Sequence, residues 1–158
     1  MRTADTLPRM LFARLTLFAF LTILSSVAYA TEPLFFHSGP KNFRETEVLD
    51  YLERLGRQTP ALPASIAAID LNGDGVEEWI IFQEPTPSCK ANANCPYIVA
   101  GLSDGLPMLL GEFTARKIGI SDEKQYGVRK LLVYNEKNND FTYQTYVWTP
   151  ADLRFRPE

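Results

Sequence analysis

Histidine and cysteine are scarce. The 158-residue chain holds one His and two Cys. That leaves little material for metal-assisted or His-dependent catalysis, and at most one cysteine pair. Positive charge is also in deficit: with 16 Lys and Arg against 19 Asp and Glu, the formal net charge is −3, which gives no electrostatic footprint for nucleic acid. There is no internal repeat, low-complexity tract or long charge run. At 46% hydrophobic and 22% charged, the composition argues against wholesale disorder and against a fibrous repeat. The length allows one domain. The chain contains no G-x-S-x-G, P-loop, H-E-x-x-H or Gly-rich dinucleotide motif, so the expectation is a non-enzymatic protein.

What is present begins with an address. Arg2, Arg9 and Arg14 stand against a single acid, Asp5, ahead of the apolar run Leu15–Leu24. Ser25, Ser26 and the triplet Ala28-Tyr29-Ala30 follow. A basic start, a short apolar stretch and an A-x-A end predict a cleaved secretory signal over residues 1–30, with cleavage after Ala30. The apolar run is shorter than the ~20 residues that span a bilayer. The basic start points to a bacterial Sec signal and hence to the periplasm. No Cys follows the cleavage site, so a lipidated N-terminus is not expected. The mature chain, Thr31–Glu158, would have 128 residues and a net charge of −5. That is long enough for one proper core, and no later segment is apolar enough to cross a membrane.

In the mature segment, Asn42–Leu55 reads as one amphipathic helix. Asn42 and Glu45 make a capping-box pattern. Val48, Tyr51, Leu52 and Leu55 form one apolar stripe, and Glu45, Glu47, Asp50 and Glu53 are expected on solvated faces. Gly56 is a natural stop. His37 reads as a loop residue near a mobile terminus. Gln58–Ala64, with Pro60 and Pro63, reads as a linker. Short strands then follow at Ser65–Ile69, Trp79–Gln83, Pro96–Leu102, Pro107–Ala115, Arg116–Ile120, Val128–Asn135, Phe141–Trp148 and Leu153–Arg156. The expected fold is α+β: one N-terminal helix packed on a mostly antiparallel meander of six to eight strands, forming a single domain over residues 31–158.

The most specific local signal is Asp70-Leu71-Asn72-Gly73-Asp74-Gly75-Val76-Glu77-Glu78. Asp70, Asn72 and Asp74 offer oxygen at alternate positions. Gly75 permits the turn that aims the Val76 carbonyl inward, and Glu78 adds a carboxylate. Hard oxygens around a Gly turn suit calcium. The EF-hand position for a bidentate Glu is occupied by Ile81, inside an expected strand, so this is not an EF-hand. The nine residues resemble the D-x-[DN]-G-D-G-x-x-[DE] loop of FG-GAP and VCBS-type repeats, and a loop found in small bacterial periplasmic proteins of unknown role. The resemblance implies Asp70, Asn72, Asp74, Val76 (backbone) and Glu78 as calcium ligands in a hairpin turn. A single copy rules out a full propeller. The competing reading is a metal-free hairpin, since Asn72-Gly73 and Asp74-Gly75 are both favoured turn dipeptides. Any calcium would bind weakly, with a dissociation constant of about 0.1–1 mM, and would stiffen the hairpin.

Cys89 and Cys95 enclose the polar stretch Lys90–Asn94. In an oxidising compartment this spacing predicts a structural disulfide. A stapled loop can present side chains, which makes Lys90, Asn92 and Asn94 candidate contact residues. The last third of the chain is rich in aromatics: Tyr126, Tyr134, Phe141, Tyr143, Tyr146, Trp148 and Phe155. Their alternation suits the filling of a small β core. An exposed aromatic face would suit sugars instead. Two functional readings follow. The first is a periplasmic binding protein, of inhibitor or immunity type, for a basic envelope enzyme steered by the acidic net charge. The second is a calcium-stabilised envelope domain with a structural or carbohydrate-binding role.

Overall fold

The computed structural model describes residues 31–57, 63–83, 94–137 and 140–158. The expected signal segment, with its cleavage after Ala30, and the residues Cys89, Lys90 and Asn92 lie outside the described residues.

Two short strands open the described chain, β1 (Thr31–Glu32) and β2 (His37–Ser38), followed by the helix α1 (Phe43–Arg54). Asn42 caps α1 by accepting the Glu45 N–H at 2.9 Å, and Glu45 reaches back to the Lys41 N–H at 2.6 Å. One orphan donor of the first turn and one N–H ahead of the cap are thereby satisfied. Glu45 was expected on a solvated face. It is 3% exposed, because capping turns it inward beneath His37, whose Nε2 lies 3.5 Å away. His37 is likewise not a loose loop residue. It pairs with Ile66 as part of β2, and its Nδ1–H donates to the Gly39 carbonyl at 2.9 Å. Gly56, at φ +66°, ends the helix.

Eight further strands follow: β3 (Ala64–Ile69), β4 (Glu78–Gln83), β5 (Cys95–Ser103), β6 (Leu106–Ala115), β7 (Lys117–Gln125), β8 (Val128–Lys137), β9 (Asp140–Thr149) and β10 (Arg154–Pro157). The α+β class and antiparallel pairing are as expected, but the single meander is corrected. The strands divide into two five-stranded sheets, ordered β2-β3-β4-β5-β6 and β1-β7-β8-β9-β10. The chain changes sheet at Arg116, whose N–H bonds the Tyr134 carbonyl at 2.8 Å.

The physical reason for two sheets lies in the two faces of the first one. Ile69, Ile80, Val99 and Phe113 point to one side and pack with Ile118, Ile120, Leu131, Val133 and Phe155 of the other sheet. Ile66, Trp79, Ile81, Ile98 and Leu109 point to the opposite side and pack with Val48 and Leu52 of α1. The first sheet is therefore covered on both faces. Its strands read as unbroken apolar runs such as Trp79–Phe82, as buried strands do. The order of layers is helix, sheet, sheet.

The strand β7 extends five residues beyond the expected Arg116–Ile120 segment, to Gln125, across a register irregularity between Ile120 and Lys124. Such bulges bend a strand. Here the β7–β8 end meets the chain just after β3: the Arg129 N–H donates to the Leu71 carbonyl at 2.8 Å. Among the described residues no helix is long and apolar enough to cross a membrane.

Candidate functional site at the loop end

The connections β3–β4, β5–β6, β7–β8 and β9–β10 all emerge at one end, as antiparallel succession requires. The β4–β5 connection leaves from the other end.

At this loop end the segment Asp70–Glu77 is wound by its own side chains. Asp70 accepts from the Gly73 N–H at 2.6 Å and the Gly75 N–H at 3.0 Å. Asn72 Oδ1 accepts the Asp74 N–H at 2.8 Å, and Asp74 Oδ1 accepts the Val76 N–H at 2.7 Å. The Asn72 amide donates to the second Asp74 oxygen at 2.9 Å. Gly73 and Gly75 take φ +86° and +82°, conformations that glycine adopts without the Cβ penalty. The N–H groups of Gly73 and then Gly75 hold the Asp70 carboxyl below its ordinary pKa. Lys124 Nζ closes over the loop at the Asn72 carbonyl, 3.3 Å away.

Asp70, Asn72 and Asp74 are thus brought together as the sequence predicts. Glu78 is not beside them. It turns beneath the loop, 9% exposed, and accepts the Leu71 N–H at 2.7 Å. Burial pushes its pKa up to about 7; the Leu71 N–H opposes this, and the Asp74 and Asp70 charges add to it. Val76 gives its N–H to Asp74 and exposes its side chain. Among the described residues no three His, Cys, Asp or Glu side chains gather as a metal-holding group. The oxygens are of the kind calcium takes, and in this arrangement backbone N–H groups occupy them.

Beside Glu78, a cavity of about 140 Å³ opens between the two sheets, walled by Met108, Leu110, Val128, Trp148 and Phe155. Gly101 makes room for it: a Cβ there would lie 2.9 Å from Leu110 Cδ1 and 3.1 Å from Glu78 Cγ. At this end each connection, or the strand residue next to it, exposes one large apolar side chain: Val76, Leu106, Tyr126 and Leu153. Leu106 and Tyr126 are 71% and 70% exposed. Asp104, Tyr126 and Leu153 each hold φ +52°, which is costly for residues with a Cβ and clusters at functional sites. Sequence reasoning missed Leu106, Tyr126 and Leu153. Tyr126-Gly127 between two strand patterns was the available signal.

Asn94, just before β5, stands at the other end; it is half-buried, and among the described residues its Oδ1 has no hydrogen-bond partner. Of the expected Cys89–Cys95 staple, Cys89 lies outside the described residues, while Cys95 is buried and disulfide-bonded, not a free thiol. Beside it runs the β4–β5 ladder, Trp79–Phe82 against Tyr97–Ala100.

Comparison with protein-family models, curated proteins and solved structures finds no match to this chain. The likeness to FG-GAP and VCBS loops therefore stays with the nine residues Asp70–Glu78, and the functional reading stands on geometry.

Proposed function

We propose that this chain is a non-catalytic binding domain of the bacterial cell envelope, exported to the periplasm, that holds a basic protein partner at its loop end. An inhibitor or immunity role toward an envelope enzyme fits this reading. The observation that carries it is the exposure of Val76, Leu106, Tyr126 and Leu153 at the strand connections of one end of the fold. Tyrosine is among the side chains that dominate the energy of protein interfaces, and contacts around such an anchor serve to exclude water. Asp70, Asp74, Glu77 and Asp104 stand in the β3–β4 and β5–β6 connections of the same end, which favours a basic partner and speeds its encounter. The test is affinity capture from periplasmic extract with the parent protein and with a Leu106→Asp/Tyr126→Ala variant. A stoichiometric basic protein, released by salt and not captured by the variant, supports the reading. Equal capture by both proteins overturns it.

A second reading is favoured by the gathering of the Asp70, Asn72 and Asp74 side-chain oxygens in one tight turn. In it, calcium binds weakly at Asp70, Asn72, Asp74, the Val76 carbonyl and Glu78 and stiffens the hairpin, with Glu78 rotating out from under Leu71. Calcium at about 5 mM, several times such a site's dissociation constant, would then raise the melting temperature measurably, and Asp74→Asn would abolish the rise. No rise in the parent overturns this second reading.

A further inference from the structure

The outer face of the second sheet should be polar, since only its inner face is packed. Over β7, β8 and β9 it carries an apolar and aromatic patch among its polar groups. Tyr134 and Tyr143 are direct cross-strand partners, with ring centroids 5.5 Å apart and planes at 47°. Beside them, at the next outward-facing register position, Leu132 is 9% exposed. Gly119 seats one ring: a Cβ at that position would lie 3.1 Å from Tyr134 Cε2. Tyr143 is left 58% exposed.

These residues line a groove of about 280 Å³, near the lower end of small-ligand sites. Its rim is made of oxygen and nitrogen groups. Thr31, Ser121 and Thr145 contribute hydroxyls. Lys130 Nζ is fixed between Glu158 at 2.7 Å and Glu123 at 3.0 Å. The ammonium is thus offset by two carboxylates, and the groove carries no surplus positive charge for a phosphate or a polyanion.

From this geometry we infer that the groove on the outer face of β7–β9 binds a neutral saccharide, with a sugar ring stacked on the Tyr134–Tyr143 pair. A pyranose has an apolar C–H face, which matches an aromatic platform, and a rim of hydroxyls that donate to carboxylates and accept from an ammonium. A nucleobase could stack on the same rings, but its backbone calls for free cations, and here the ammonium is already held by carboxylates. The groove lies on a different face from the loop end, so this inference does not depend on the partner reading.

The test is titration of the purified protein with cellotetraose and with chitotetraose, read by calorimetry and saturation-transfer NMR. Saturable binding of either sugar is expected. Tyr143→Ala should weaken it about tenfold, Tyr143→Phe should retain it, and Leu106→Asp at the loop end should leave it unchanged. Tyr143 is exposed, so thermal melts of its variants should match the parent. Any one of three results overturns the inference: no saturable binding of either sugar, equal binding by Tyr143→Ala, or a preference for polygalacturonate over both neutral sugars.

Discussion

Glu78 is a carboxyl group placed where ionisation is costly. Its folded pKa of about 7 lies above the ordinary 4.5, so the fold favours the protonated form. The resulting contribution to stability is fully present below about pH 4.5 and is lost as pH rises through about 7. The melting temperature of the parent should therefore fall, relative to Glu78→Gln, between pH 5 and pH 8. Parallel melting curves over that range would contradict this account. Gly101 is constrained by the same crowding. Gly101→Ala drives a methyl group against Leu110 and Glu78 and should cost about 1–3 kcal/mol in denaturant unfolding. Asn42 is the residue whose role the sequence states most plainly. It accepts from Glu45 as a capping box predicts, and Asn42→Ala should cost about 1 kcal/mol. The burial of Glu45 was not legible, because the capping-box pattern states its local bonds and not that His37 of β2 packs over it.

At the scale of elements, the hairpins trade stability for display. Tyr126 occupies the left-handed region at φ +52°, followed by Gly127 at φ +81°. A type I′ turn with those angles prefers Asn or Gly in the first position. Tyr126→Asn should accordingly stabilise the protein by about 0.5–1 kcal/mol. In the proposed function the same change should weaken capture of the partner. A stabilised variant that captures the partner undiminished would separate the strain from the function. The existence of most strands was legible, since runs such as Trp79–Phe82 and the alternation over Phe141–Trp148 carry their own signal. The alternation places Tyr143 on the opposite face of β9 from Tyr146 and Trp148. Tyr146 and Trp148 pack against the inter-sheet core, while Tyr143 faces solvent. Which set faced inward depended on what lay across the sheet, and periodicity alone does not contain that.

For the whole molecule, two apolar interiors share one sheet. Leu52 is fully buried among Ile66, Trp79 and Ile81, so Leu52→Ala should cost about 2–5 kcal/mol and detach α1 from the sheet. The site at the loop end draws on the other interior, walled by Met108, Trp148 and Phe155. Leu52→Ala should therefore leave the loop-end arrangement intact under conditions where the variant stays folded. Amide hydrogen exchange would show this as loss of protection in α1 with protection kept in β7–β9.

The scarcity of His and Cys, the acidic balance, the helix with its cap, the Gly-turned acidic loop and the strand signals were determined by the sequence itself. Each is a matter of composition or of contacts within a few residues, where propensity and hydrogen bonding act locally. The division into two sheets, the burial of Glu78 and the gathering of Val76, Leu106, Tyr126 and Leu153 at one end were decided only by tertiary structure. So was the seating of Tyr134 over Gly119. These depend on contacts between residues far apart in the chain, whose energies come from burying apolar area across layers, and no local pattern specifies which distant strand will supply the other side.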